Sequence, residues 1–194
     1  IDTGRIILQK PFAIPDTADV EYVYDGLMHL GAKIAMETID LIASKLPEEN
    51  LEKVDFTAVL NDISASQACE DVELPTAPKI FKETCEINWN QSAKKIYDFV
   101  RGLSPYPGTW STLHPISPNG EKPLVMKVYK TAKSDHPTTG TPGTLAIEKN
   151  CLYVNTSDGC IELLDIQLSG KKRMDVRSFL NGFKGIENYT FRRE

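Results

Sequence analysis

Cysteine is scarce and never paired in sequence. The chain has four, Cys69, Cys85, Cys151 and Cys160, with no C-x-x-C spacing, and only three histidines. A structural zinc site needs four clustered Cys or His donors, so no metal site is expected. Scattered thiols of this kind read as small apolar fillers in a reducing compartment, the cytoplasm. Also missing is any apolar run of the roughly 18 residues that a membrane helix needs, so no membrane partner is expected. No charged-then-apolar leader opens the chain. It begins on Ile1 rather than Met, from which a processed or truncated product is expected. No internal repeat and no low-complexity tract is present.

What is there is charge, unevenly placed. The net charge is −5 over 194 residues. Residues 1–86 carry a net of −10 and residues 87–194 a net of +5. A basic half on an acidic chain suits an anionic partner.

Hydrophobic patterning divides the chain further. Ile6, Ile7 and Leu8 form a compact apolar run within Arg5 to Lys10, closed by Pro11, and predict a short strand. Pro15-Asp16-Thr17 reads as a turn and helix start. From Ala18 to about Leu46, Val20, Val23, Leu27, Leu30, Ile34 and Leu41 keep one helical stripe, with a break allowed at Gly26 and Gly31. One strand and one helix cannot make a sheet, so residues 1–47 look like the end of a larger α/β domain. Residues 48–82 are acidic and carry Pro75 and Pro78; without a lasting apolar period they read as a linker over a surface.

The remainder, 83–194, opens on a helix. Asn90 caps it, Ala93, Ile96, Tyr97 and Val100 line one face, and Gly102 stops it. After Pro105-Tyr106-Pro107-Gly108 the period falls to two. Strands are expected at 109–114, 124–131, 144–148, 151–155 and 160–168, with Asn119-Gly120, Asp158-Gly159 and, more weakly, Lys149-Asn150 as turns. Five short strands predict a small antiparallel, OB-like barrel. Trp89 and Trp110 are expected in its core. His114 and His136 read as loop residues without ligand partners. A last helix, capped by Asp175, places Val176, Phe179, Leu180 and Phe183 on one face.

Three stretches carry a family resemblance. Ile1-Asp2-Thr3-Gly4-Arg5-Ile6-Ile7-Leu8-Gln9 is similar to the D-x-G loop and following strand of folate-dependent formyltransferases. Ala77-Pro78-Lys79-Ile80, then Ile87-Asn88-Trp89, Arg101 and Pro105-Tyr106-Pro107-Gly108 resemble a signature of methionyl-tRNA formyltransferases. Gln167 through Met174, with Gly170-Lys171-Lys172-Arg173 inside it, and Phe179-Leu180-Asn181-Gly182 resemble the ending of that family.

The resemblance implies an α/β tail of a Rossmann-like formyltransferase domain over 1–47, a linker over 48–82, and an OB-like tRNA-binding barrel domain over 83–194. It implies transfer of a formyl group from 10-formyltetrahydrofolate to the methionine amine of initiator tRNA. The amine must lose a proton as it attacks, and a placed carboxylate serves that step; Asp2 matches the family's aspartate. Thr3 and Gly4 would let its loop turn tightly beside the folate. The family's Asn, His and folate loop would lie upstream, so this stretch is expected to be inactive alone, with the folate site mostly outside it. No obligate protein partner is evident.

The barrel half has no acid, base and nucleophile set, but it has cations. Lys171, Lys172 and Arg173 sit where the last strand meets the last helix, Arg177 lies one turn on, and Lys127, Lys130 and Lys133 line the second strand and its exit. Lys94 and Lys95 read as a solvated helix face, while Arg101 joins the expected tRNA contacts. Many cations with little base-reading geometry suit a phosphate backbone. Two alternatives stay open: a non-catalytic nucleic-acid-binding module, and a related folate-dependent formyltransferase or hydrolase acting on a nucleotide sugar or on folate.

Overall fold

A computed structural model describes residues 4–67, 76–117, 122–138 and 140–191. The chain divides into two units, residues 1–15 with 22–78, and residues 16–21 with 79–194.

In the first unit, helix α1 (Val20–Ser44) runs unbroken through both glycines. At Gly26 a Cβ would run into the Phe12 ring, which would have to shift to admit it. Gly31 has open space around it. No residue of α1 is buried. The strand expected over Arg5 to Lys10 reduces to one bridge: Ile6 and Ala65 exchange backbone hydrogen bonds of 2.9 and 2.8 Å. A lone bridge has no neighbouring strand to extend it. The linker is also not featureless. Helix α2 (Phe56–Asp62) lies inside it, capped by the Asp55 carboxylate, which accepts from Ala58 N at 3.1 Å. The sequence does carry a signal for it: Phe56, Val59, Leu60 and Ile63 fall at i, i+3, i+4 and i+7.

In the second unit, α3 (Ala93–Leu103) is capped two residues later than expected. Ser92 Oγ accepts from Lys95 N, and Asp158, distant in sequence, accepts from Ala93 N at 2.7 Å. Gly102 does not stop this helix, which continues to Leu103. The strands are β1 (Thr109–Pro115), β2 (Leu124–Ser134), β3 (Leu145–Glu148), β4 (Cys151–Asn155) and β5 (Cys160–Leu168), followed by the two-residue β6 (Met174–Asp175) and β7 (Tyr189–Thr190). Helix α4 (Val176–Gly182) starts on the Asp175 cap. The Lys149-Asn150 turn holds φ of 49° and 67°, the double-positive geometry of a tight two-residue hairpin. The expected Asn119-Gly120 turn lies outside the described residues.

The sheet order is β3-β4-β5-β2-β1-β7, with β6 also on β5 and every pairing antiparallel. Phe191 N then donates to Gly143 O, just before β3, at 2.8 Å. The last strand thereby joins the sheet's two margins, and the sheet becomes a nearly closed antiparallel barrel.

Alternation fills the barrel. Leu113, Met126, Val128, Leu152, Val154, Ile161, Leu163 and Ile166 are fully buried. Ile96 and Val100 of α3, and Val176 and Phe179 of α4, join this core. Each such side chain contributes about 1.5–3 kcal/mol on burial. Trp89 belongs to it, stacked on Phe191 at 4.9 Å with its indole N–H on Ser111 Oγ. Trp110 does not: it alternates to the outer face, half-buried, and its N–H donates to the Lys82 carbonyl at 2.8 Å. Among the described residues, no helix is long and apolar enough to cross a membrane.

Candidate functional site

Antiparallel register places side chains of paired residues on one face. Trp110 pairs with Lys127, and Lys127 with Gln167, so these three form a row across β1, β2 and β5 on the outer surface. Next along β2, a bulge at Tyr129 shifts the register, and Lys130 then pairs with Asp165. The exposed turn carrying Lys171, Lys172 and Arg173 leads from β5 into β6, which pairs back onto Asp165 and Ile166. The β2 lysines and the basic turn therefore share the outer surface around β5. Among the described residues, the side chains of Lys127, Lys130, Lys171 and Lys172 form no ion pair.

Arg173 differs from these four. Its guanidinium meets the Asp165 carboxylate and stacks 4.2 Å over the Tyr129 ring.

Arg101 and Arg177 lie elsewhere. Arg101 donates to Asp98 at 2.8 Å and to the Ala18 carbonyl at 3.0 Å, and sits 5.7 Å over the Tyr97 ring. Lys133 joins that group through Asp16, at 2.6 Å, and through the same ring. The pairing holds the Asp16 carboxyl below its ordinary range and raises Lys133 above its own. Both cations are thus engaged by the protein. Arg177 lines a depression of about 460 Å³ with Lys149, Cys151, Glu162 and Asp175.

Of the two histidines expected in loops, His136 lies in one and His114 does not. His114 stands on β1 opposite Thr190, not in a loop, and its Nε2 is buried without a hydrogen-bond partner among the described residues. His136 stacks on Tyr153 at 4.3 Å, with Nε2 3.3 Å from Glu148. The Tyr153 hydroxyl, hydrogen-bonded to Cys151, is pushed up to about 12. A hydrogen bond with Glu162 raises the Cys151 thiol, and burial raises Cys160. A nucleophilic cysteine needs the opposite shift, so these two thiols are not activated. No described His, Cys, Asp and Glu residues cluster as metal ligands. The surface of this unit can hold an anion through fixed cations, and neither of these thiols suits covalent chemistry.

Asp2 and Thr3 lie outside the described residues. Gly4 is exposed, and its carbonyl accepts from Gln67 Nε2. A Cβ there would meet nothing within 4 Å among the described residues.

Comparison with known proteins agrees with this architecture. The chain is 43% identical over 98% of its length to a methionyl-tRNA formyltransferase of Parabacteroides distasonis, covering 54% of that protein. It is 41% identical over 99% of its length to one of Bacteroides fragilis, covering 55% of it. The chain thus spans about half the length of these relatives. Two variants of HypX from Aquifex aeolicus share the fold, with TM-scores of 0.53 and 0.56 at 12% and 13% identity; they match 94% and 92% of this chain and 28% of their own. The family described as "Formyl transferase, C-terminal domain" matches residues 79–184, the segment that builds α3, the barrel strands through β6 and α4. With half of its length in that match, the chain belongs to the formyl transferase family and carries its C-terminal domain.

Proposed function

We propose that the chain is the tRNA-binding part of a methionyl-tRNA formyltransferase, and that the outer surface around β5 meets the phosphate backbone of the initiator tRNA. The observation that carries this reading is four cations without ion pairs among the described residues, Lys127, Lys130, Lys171 and Lys172, on β2 and the β5–β6 turn. Phosphate contacts ask for such charges in a fixed array and need no base-specific geometry. Relatives named methionyl-tRNA formyltransferase, similar along nearly the whole chain, supply the substrate class.

The whole reaction places residues 1–47 at the end of a Rossmann-like catalytic domain, 48–82 as the connection, and 83–194 as an OB-like domain, all in the cytoplasm. The formyl donor is 10-formyltetrahydrofolate. Asp2, beside Thr3 and Gly4, takes up the proton or orients the group that does; the other catalytic residues lie upstream, so this stretch alone turns nothing over. Arg101 and Arg177 are outlying contacts at most, because Arg101 is paired and Arg177 lines a separate depression.

Filter binding across a potassium chloride series tests the surface. Replacing Lys171 and Lys172 together with Gln is expected to lower the slope of log affinity against log salt by about 1.5, near 0.7–0.9 for each phosphate no longer neutralised. An unchanged slope would remove the turn from the interface. In an enzyme containing the upstream residues, Asp2→Asn is expected to slow formyl transfer roughly 10²-fold with folding retained. Turnover at the parental rate would remove Asp2 from the chemistry.

A further inference from the structure

The β5–β6 turn carries three cations in a row, and the structure treats one of them differently. Arg173 Nε and Nη2 both donate to Asp165 Oδ2, at 2.9 and 2.7 Å. The other oxygen, Asp165 Oδ1, is buried without a partner among the described residues, so hydrogen bonding to this carboxylate rests on Arg173. The Tyr129 ring covers one guanidinium face. Two of its five N–H donors and one ring face are thus engaged and its charge is already met by a carboxylate, so it has less to offer a phosphate than the lysines beside it.

The contacts continue into the turn itself. The Tyr129 hydroxyl donates to Gln167 Oε1 at 2.9 Å, and Gln167 Nε2 donates to the Lys171 carbonyl at 3.0 Å. Lys171 N donates to Leu168 O at 2.9 Å, and Gly170 takes φ of 76°, which lets the chain reverse there. An unbroken chain of contacts therefore runs from Asp165 through Arg173, Tyr129 and Gln167 to the backbone of Lys171.

We propose that Arg173 is a positioning residue, not a phosphate ligand: with Asp165 and Tyr129 it fixes the turn that presents Lys171 and Lys172 to the tRNA backbone. The proposal rests on the tRNA-binding reading above. Fixing the turn before binding lowers the ordering cost of two long lysine side chains. The role of Asp165 follows and runs against simple Coulomb reasoning. An acid among cations repels an anion, so its removal alone would strengthen binding. Here its removal also releases Arg173 and loosens the turn, and the second effect wins.

The test uses the 194-residue chain, deacylated initiator tRNA as the probe, and the variants Asp165→Asn and Arg173→Lys. The second keeps the charge but cannot make the planar two-donor contact. Both are expected to weaken tRNA binding about three- to tenfold at fixed salt, with the parental salt slope kept. Without RNA, both are expected to speed exchange of the Lys171 amide at least about fivefold, while the Ile161 amide in β5 stays protected. Tighter binding by Asp165→Asn overturns the proposal, as does parental binding by Arg173→Lys. Loss of Ile161 protection in both variants makes the network a general stabiliser and overturns it too. If the parental chain shows no salt-dependent tRNA binding, the tRNA reading falls by itself. The amide measurement then decides the positioning role separately: an unmoved Lys171 amide in both variants overturns it.

Discussion

Helix α1 and strand β5 are both rich in apolar residues, yet they use them differently. None of the 25 residues of α1 is buried, and Tyr24, Leu27, Met28, Met36 and Ile39 are exposed. Five of the nine residues of β5 are buried, four of them in the main core. The difference lies in what each element packs against. β5 has β2 and β4 at its edges and inward-facing side chains from the whole barrel. α1 keeps its stripe, but a stripe contributes stability only where another surface removes it from water. Periodicity reports which face a sequence prepares for burial; a partner determines whether burial happens.

The largest expected effect tests this contrast directly. Leu163→Ala should cost about 3–5 kcal/mol, since the residue is fully buried between paired strands. Met36→Ala in α1 should change stability by less than ~0.5 kcal/mol. Urea denaturation of the two variants measures both, and equal losses would erase the distinction.

Next come the caps and glycines. Ser92→Ala should destabilise the barrel unit by about 1 kcal/mol, read from the same denaturation curves, because Lys95 N loses its acceptor. Gly31→Ala should stabilise α1 by roughly 0.5–1 kcal/mol, seen as higher helicity by circular dichroism on heating. Gly26→Ala should gain less, since its Cβ displaces the Phe12 ring. Equal gains would mean that Phe12 moves freely.

The smallest effect is in acid. Backbone and side-chain hydrogen bonds from Ser178 lower the Asp175 carboxyl below its ordinary 3.8. A depressed carboxyl stabilises the fold above about pH 3.8, and that contribution is lost as pH falls through the lower folded value. Asp175→Asn keeps a good cap but does not titrate, so stability measured from about pH 5 to 2 should fall less steeply than in the parent. An identical acid limb would separate Asp175 from the pH response.

Legibility follows the range of the interactions. The five longer strands are readable because alternation is local and each lasts four residues or more. β6 and β7 have two residues each, too few to show a period. Sequence alone points to Asn90 as the α3 cap because both Asn and Ser suit that role, and the Asp158 carboxylate that helps fix the start lies 65 residues away. The strand expected at Arg5 to Lys10 does not form for a related reason, since among the described residues its apolar run finds only Ala65 to bridge. The basic surface is legible as composition, but not as geometry. Lys171, Lys172 and Arg173 look alike in sequence; only the fold brings Asp165 and Tyr129 to the arginine. Arg101 likewise looks available in sequence, whereas in the fold Asp98 and the Ala18 carbonyl meet it.

The closure of the sheet by Tyr189, Thr190 and Phe191 bears on how the protein tolerates shortening. These residues cover one margin at β1 and hold the segment before β3 at the other. A chain cut after Gly185 would leave both margins with unsatisfied backbone groups, templates for pairing with another molecule. It would also strip Phe191 from the face of Trp89. The barrel's last few described residues thus act as a guard against self-association, and a clipped product should precipitate while its outer basic surface is still intact.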